Sequence, residues 1–420
     1  MQLVPRHVMP RVGEALDNFR VVVLHGARQC GKSTLARMVA AERDGTYASL
    51  DDDATRQAAL ADPRSFLLDQ DHPLVVDEIQ LGGDRVVRAV KQAVDVDSTP
   101  GRFLLTGSTN FLTVPSISES LAGRVRLLHL WPLSQAELNR SAPFRVQAWF
   151  GDESDTLHAS ARPAAMTRRD YMESVCRGGY PEASTLPDEL RRDWFESYVE
   201  TVTERDIVAL GDLRRRAALG LLLRWVAASS GSELNVAGTA SRLGLDRATI
   251  GSYLAWMETV FLVHLLPSWS RNLTARAVRR PKVHITDTGL AAGLMGLDAS
   301  ALMVPTSPAA GPLLETFVVN EIARSLSASS AAPRLHHYRD HQQHEIDLVL
   351  ERSDGAVVAV EIKATTSPNV SQLRHVEWLR DRIDAAAPGA FRAGILLHTG
   401  DQRYTVGDRL HICPISTMWA

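Results

Sequence analysis

The sequence predicts a multidomain α/β protein with a phosphate-binding core at its N-terminal end. Three observations predict it. Residues 20–34 run from an apolar strand (RVVVLHG) through a glycine-rich turn into a helix that continues to about residue 42. Two further apolar runs, 73–77 (PLVVD) and 102–106 (RFLLT), alternate with helical stretches in a βαβ pattern. The chain has 420 residues, against about 100–200 for an ordinary domain.

Continuous apolar runs bounded by turns are those of parallel strands buried on both faces. Residues 141–170 are polar and irregular, and the pattern from 171 to about 231 is helical. A helix at 235–243, a tight turn at 244–246, a helix at 247–258, a strand at 260–266, a basic linker and a strand at 282–286 then give the outline of a winged helix. After a Pro/Ser/Ala-rich stretch at 304–312, a helix at 313–326 and strands near 345–351 and 356–363 make a small α/β module.

Composition narrows the class. Hydrophobic residues make up 45% and charged residues 23% of the chain, as in soluble globular proteins. No apolar run reaches the roughly 20 residues needed to cross a bilayer. Residues 1–12 lack the apolar core of a signal peptide, so a cytoplasmic protein with no membrane partner is expected. Cys30, Cys176 and Cys413 are too scattered for a disulfide framework or a zinc site. The net charge of −3 supplies no global attraction for nucleic acid. Of 46 basic residues only Lys32, Lys91, Lys282 and Lys363 are lysines, and Lys32 and Lys363 fall at the key positions of two separate motifs.

The first motif is GARQCGKST: Gly26, Ala27, Arg28, Gln29, Cys30, Gly31, Lys32, Ser33 and Thr34. With a strand before and a helix after, it satisfies the P-loop pattern. Gly26 and Gly31 let the backbone turn so that N–H groups face phosphates at a helix N-terminus. Lys32 is expected to reach the β- and γ-phosphates of ATP and Ser33 to ligate Mg²⁺. Cys30 is either filler in the loop or a reactive thiol. Asp77 and Glu78 end the second apolar strand. There Asp77 can hold the Mg²⁺ shell and Glu78 can orient and deprotonate water. Strand 102–106 leads into Gly107-Ser108-Thr109-Asn110, whose polar side chains, Asn110 among them, are candidates for sensing the γ-phosphate or placing the water.

GARQCGKST, VVDEIQ, LLTGSTN and SLAGRV, followed by CRGGYPE (176–182), ERDI (204–207), PKVHITDTGLA (281–291) and LLETFVVNEI (313–322), resemble the prokaryotic AAA-type ATPases that carry a C-terminal domain of unknown function. The resemblance covers most of the chain, and the order of the motifs is as specific as the motifs. It implies an AAA-type core with ATP sites between subunits, hence a homo-oligomer, and it implies that Arg124 acts as an arginine finger on a neighbouring subunit's ATP. It assigns no biological task.

The second constellation is Glu315, Asp347, Glu361 and Lys363. Glu361 and Lys363 share one face of a strand because side chains alternate with period two. Asp347 can join them from the neighbouring strand of a hairpin, and Glu315 from the preceding helix. Glu315, Asp347 and Glu361 form a carboxylate set able to hold Mg²⁺, with Lys363 placed to position or activate water. The order of helix Glu, strand Asp and E-x-K resembles the PD-(D/E)xK nuclease core, although no proline precedes Asp347. His336, His337, His341 and His344 lie nearby without a metal-binding spacing and read as a solvated loop.

The expected organisation is therefore an AAA-type P-loop ATPase core (1–150), a helical lid (151–231), a winged-helix domain (232–303) and a PD-(D/E)xK nuclease-like α/β domain (304–420). Arg247, Ala248 and Thr249 open the second helix of the winged-helix outline, and Arg271, Arg276, Arg279 and Arg280 lie in its linker. These arginines, and the run 214–216, either bind phosphates or form solvated faces. Two functions follow. One is an ATP-driven machine that acts on nucleic acid, DNA before RNA, through a Mg²⁺-dependent nuclease-like domain. The other is a nucleotide-dependent regulatory or scaffolding ATPase whose C-terminal module binds a partner without cutting it.

Overall fold

A computed structural model describes residues 3–108, 123–151, 165–207, 216–272, 276, 279–330 and 332–419. The chain divides into two compact units. The first comprises Met1–Leu133 with Thr259–Leu262 and Ser327–Ser330, and the second comprises Ser134–Glu258, Val263–Leu326 and Ala331–Ala420.

The first unit is built on a five-stranded parallel sheet. Its strands are β1 (Val21–His25), β2 (Thr46–Ser49), β3 (Leu74–Asp77), β4 (Phe103–Gly107) and β5 (Val125–His129), in the order β2-β3-β4-β1-β5. The three strands expected from apolar runs are β1, β3 and β4, the inner ones. Val21, Val23, Leu74, Val76, Phe103 and Leu105 meet Val86, Val87 and Val90 of the helix Gly83–Val96 in one core. Burying each such side chain is worth about 1.5–3 kcal/mol. Because the sheet is parallel, the C-terminal ends of β1, β3 and β4 share one edge. Parallel α/β sheets bind ligands at that edge.

In the second unit, a helix at Val236–Leu243 ends on Gly244, which takes φ 63° as helix C-terminal glycines do, and a second helix spans Arg247–Thr259. The strands β6 (Ser232–Glu233), β7 (Val263–Leu266) and β8 (Lys282–Ile285) form an antiparallel sheet with β8 in the middle. β7 starts at Val263 rather than at 260, because the backbone turns left-handed at Phe261 with φ 61°.

The C-terminal part of this unit is a six-stranded mixed sheet. It contains β9 (Arg334–Arg339), β10 (Glu345–Glu351), β11 (Val357–Lys363), β12 (Phe391–His398), β13 (Tyr404–Thr405) and β14 (Leu410–Pro414), in the order β13-β14-β12-β11-β10-β9. Val376, Leu379 and Ile383 of the helix Arg374–Ala386 pack on it with Val349, Ala359 and Leu396. The helix Ala310–Ser327 is buried along most of its length, including Thr316, Asn320, Glu321 and Arg324. Among the described residues, no helix is long and apolar enough to cross a membrane.

Candidate functional site

The loop after β1 is shaped by contacts that only glycine and small residues permit. A Cβ on Gly26 would lie 2.1 Å from the carbonyl oxygen of Leu130, so the chain at β5 leaves no room for a side chain. Gly31 takes φ 100° at the N-terminus of the helix Lys32–Glu42. Cys30 is fully buried, and its thiol donates to Leu130 O at 3.3 Å. Arg6 clamps the loop from outside, donating to Cys30 O at 2.8 Å and Trp131 O at 2.6 Å. Lys32 is buried, and its ammonium turns back over the loop to donate to Gly26 O at 3.0 Å and Ala27 O at 2.8 Å. An ammonium held by two loop carbonyls over a helix N-terminus is a donor set that fits a phosphate chain. His25, under the loop, is pushed down to about 4 by burial and by the Lys32 charge. Its ring lies 5.2 Å from that of His129 and 5.2 Å from that of Phe261.

Asp77 and Glu78 stand at the same sheet edge, and each is held by residues from other strands. Asp77 is 3% exposed and accepts hydrogen bonds on both oxygens: Tyr47 of β2 donates to Oδ2 at 2.6 Å, and Thr106 of β4 donates to Oδ1. Burial and the neighbouring carboxylate push the Tyr47 hydroxyl up to about 12, so it stays a donor. Glu78 sits in the left-handed region at φ 55°, with its N–H donated to Thr106 Oγ1 at 3.2 Å. Its carboxylate accepts from Gln80 Nε2 and, at 3.4 Å, from Ser108 Oγ. Such backbone strain in a non-glycine residue costs on the order of 1–3 kcal/mol and collects at functional positions. Tyr47, Thr106 and Gln80 are not among the expected site residues, whereas Ser108 belongs to the polar run 107–110 expected there. Asn110 lies outside the described residues. Arg124 forms a two-pronged pair with Asp95, Nε to Oδ1 at 2.6 Å and Nη2 to Oδ2 at 3.2 Å.

The second constellation does come together in the C-terminal part. The register that pairs Leu348 with Val360 sets Asp347 beside Glu361 on neighbouring strands. Lys363 Nζ lies 2.5 Å from Glu361 Oε1 and 3.7 Å from Asp347 Oδ2, and the Ile362 N–H donates to Asp347 Oδ2 at 2.9 Å. Glu315 faces Asp347 from the helix Ala310–Ser327. Two further residues that the sequence did not offer share the cluster. Lys282 of β8 and Glu345 of β10 are 3.1 Å apart, and Lys282 Nζ is 2.8 Å from Glu315 Oε1.

Burial, then Asp347, push both Glu315 and Glu361 above the usual glutamate value, against the pull of their lysines. Burial pulls the Lys282 pKa down, but Glu315, Asp347 and Glu345 outweigh it and hold its pKa above the usual lysine value. As a metal centre this arrangement does not fit. Ammonium groups already stand against the carboxylates, and among the described residues no group of three or more His, Cys, Asp or Glu side chains is arranged to hold an ion.

The four histidines do not converge. His336 faces Glu351 at 3.8 Å, His337 accompanies Arg280 O at 3.1 Å, and His344 pairs with Asp340 at 2.9 Å while stacking on Trp378. Of the arginines, Arg247, Arg271, Arg279 and Arg280 are exposed. Arg276 is committed to Glu351 by two bonds of 2.6 and 2.8 Å. Arg214 and Arg215 lie outside the described residues.

Comparison with known proteins adds family to geometry. Residues 18–139 match the family described as an AAA domain, residues 168–301 the Domain of unknown function (DUF8612), and residues 310–418 the Domain of unknown function (DUF4143). Among solved structures, the chain is similar to the Walker-type ATPase PABY2304 of Pyrococcus abyssi, with 15% identity, TM-score 0.38, and coverage of 70% of this chain and 99% of that one. It is also similar to the RuvB Holliday junction branch migration motor of Thermotoga maritima, with 17% identity, TM-score 0.29, and coverage of 63% and 90%. The uncharacterized proteins Rv2008c of Mycobacterium tuberculosis and Mb2031c of Mycobacterium bovis are each 31% identical over 393 residues, 92% of this chain and 80% of theirs. At that identity and coverage the chain belongs to the family of these mycobacterial proteins, and its N-terminal domain is an AAA-type P-loop ATPase.

Proposed function

We propose that the chain turns over ATP with Mg²⁺ and works with nucleic acid, the AAA-type domain driving or switching the C-terminal part. The observation that carries the catalytic half is the Asp77–Glu78 pair, one carboxylate pinned on both oxygens and the next held by neutral donors at the strand edge that carries the P-loop. Lys32 exchanges its loop carbonyls for phosphate oxygens, and Ser33 and Asp77 are the residues that would hold Mg²⁺. Bound there, Mg²⁺ would supply positive charge against the charge that develops on the phosphates. Glu78, released from Gln80 and Ser108, takes the proton of the attacking water. Arg124 serves a neighbouring subunit's ATP in a homo-oligomer, on condition that it leaves Asp95.

Exposed Arg247, Arg271, Arg279 and Arg280 on a winged-helix outline supply the phosphate contacts. The test is ATPase activity and DNA binding of wild type beside Lys32→Ala. Loss of turnover with folding intact supports the reading, and unchanged turnover overturns it.

A second reading is favoured by the ammonium of Lys282 among the carboxylates. On it, the nuclease-like C-terminal module, with Asp347, Glu361 and Lys363, binds DNA or a protein partner without cutting it. Metal-dependent cleavage that disappears in Lys363→Ala while ATPase activity persists would instead restore the nuclease reading.

A further inference from the structure

Lys282 reaches the carboxylate cluster from a different sheet. It opens β8, the middle strand of β6-β8-β7, where it pairs with Glu233 on one side and Leu266 on the other. Its side chain is 1% exposed, and Nζ lies 2.8 Å from Glu315 Oε1, 3.1 Å from Glu345 Oε1 and 3.8 Å from Asp347 Oδ1. Glu315 and Asp347 are the helix and strand carboxylates that would bridge a divalent metal in a nuclease-like centre. We infer that the Lys282 ammonium is the resident cation of this cluster, standing where a metal would join Glu315 to Asp347 and keeping metal out while β8 stays in place.

Three features support this. An ammonium carries three donors and no acceptor, and three carboxylates from two elements surround this one. A buried ammonium without counter-charges is strongly unfavourable, so Lys282 and its acids hold one another in position. The other side of the cluster is spoken for as well: Asp347 Oδ2 accepts the Ile362 N–H at 2.9 Å, and Glu361 Oε1 meets Lys363 at 2.5 Å. Glu361 Oε2 is buried without a hydrogen-bond partner. One such oxygen does not replace the near-octahedral shell that Mg²⁺ demands. Above Glu315 the backbone closes at Gly231, where a Cβ would lie 3.5 Å from the carboxyl group. A dication could enter this cluster only by displacing the like charge of Lys282.

The inference deepens the non-cutting reading and rests on the C-terminal module being nuclease-like. Its test uses neither nucleic acid nor ATP, so the two fail separately. The full chain is titrated with Mn²⁺ alone, and free Mn²⁺ is followed by its paramagnetic resonance signal. Wild type and Asp347→Asn are expected to bind the same amount, whatever the P-loop contributes to both. Lys282→Met and Lys282→Gln are expected to bind Mn²⁺ about tenfold or more tightly, a scale that neighbouring groups set at metal sites. That gain is expected to vanish when Asp347→Asn is added. A wild-type site that Asp347→Asn abolishes overturns the inference. So does either Lys282 variant, folded by circular dichroism, that gains nothing. If Lys282→Met does not fold, the glutamine variant, which keeps a donor, and the comparison of wild type with Asp347→Asn still decide.

Discussion

Tyr47 donates its hydroxyl to Asp77 Oδ2 over 2.6 Å, tying the edge strand β2 to the end of β3. With Thr106 on the other oxygen, the carboxylate has one orientation. Hydrogen bonds to a charged group are worth roughly 1.5–3 kcal/mol. Tyr47→Phe removes one donor without removing the ring, so kcat for ATP is expected to fall about tenfold, which corresponds to about 1.4 kcal/mol. ATP affinity should change little, because the phosphate contacts of the loop remain. Steady-state ATPase kinetics beside fluorescent-nucleotide binding checks this, and an affinity loss as large as the kcat loss would place Tyr47 in nucleotide binding.

Glu78 is expected to behave differently. Glu78→Gln keeps the shape and the contacts of the side chain but cannot accept a proton. A positioned general base contributes about 10²–10⁴-fold, so turnover should fall by about that much while ATP still binds. Single-turnover hydrolysis measures the chemical step directly. A normal rate in this variant would move the base elsewhere, and Asp77 would be the next residue to test.

How far the sequence could anticipate this site depends on how local each contact is. Gly26, Gly31, Lys32 and Ser33 are contiguous, and their roles follow from one loop and one helix start. Tyr47 and Thr106 serve Asp77 only because the parallel register brings β2 and β4 alongside β3. Nothing near them in the chain announces it. β2 and β5 carry no such signal for a related reason: as edge strands they are only half-buried, so Thr46–Ser49 and Val125–His129 lack the apolar run that marks β1, β3 and β4. The pairing of Asp347 with Glu361 was legible because a hairpin places the two strands side by side. Lys282 stood out in the sequence as one of four lysines, yet its partners are set by the seating of β8 against the helix Ala310–Ser327, a tertiary relationship with no sequence spacing behind it.

Two arginines of the same linker should separate in their effects on DNA. Arg271 is exposed, whereas Arg276 is held by Glu351 in two short bonds. If this face binds DNA phosphates, Arg271→Ala and Arg247→Ala should each weaken binding across sequences and reduce the salt slope by about one. Arg276→Ala should leave the slope unchanged and lower the melting temperature instead. Glu351 gives that loss a pH signature. Burial raises its pKa, the Arg276 bonds outweigh burial, and the net shift is downward from 4.5. The stabilisation is therefore present above pH 4.5 and is lost as the pH falls through the folded value. Wild type and Arg276→Ala should differ in melting temperature at pH 7 and converge once the pH has fallen below the folded value of Glu351. Binding isotherms at several salt concentrations and melts across that range test both halves.

Two half-buried histidines make the fold acid-sensitive over a different range. His264, which shares a 2.8 Å hydrogen bond with Asn320, is pushed down to about 4 by burial, and His25 in the other compact unit is pushed down to about 4 by burial and Lys32. An unfolded histidine takes its proton near 6.5. Between pH 6.5 and 4 the unfolded chain therefore binds more protons than the folded one, and stability falls as the pH falls. A depression from 6.5 to 4 corresponds to about 3 kcal/mol for one residue once the pH is below both values. The melting temperature is expected to drop steadily from pH 7 to pH 4.5, before most carboxylates titrate. His264→Gln keeps a hydrogen-bonding group near Asn320 but cannot be protonated, so it should start lower at pH 7 and decline less steeply. A parallel decline in wild type and variant would assign the acid sensitivity to other groups.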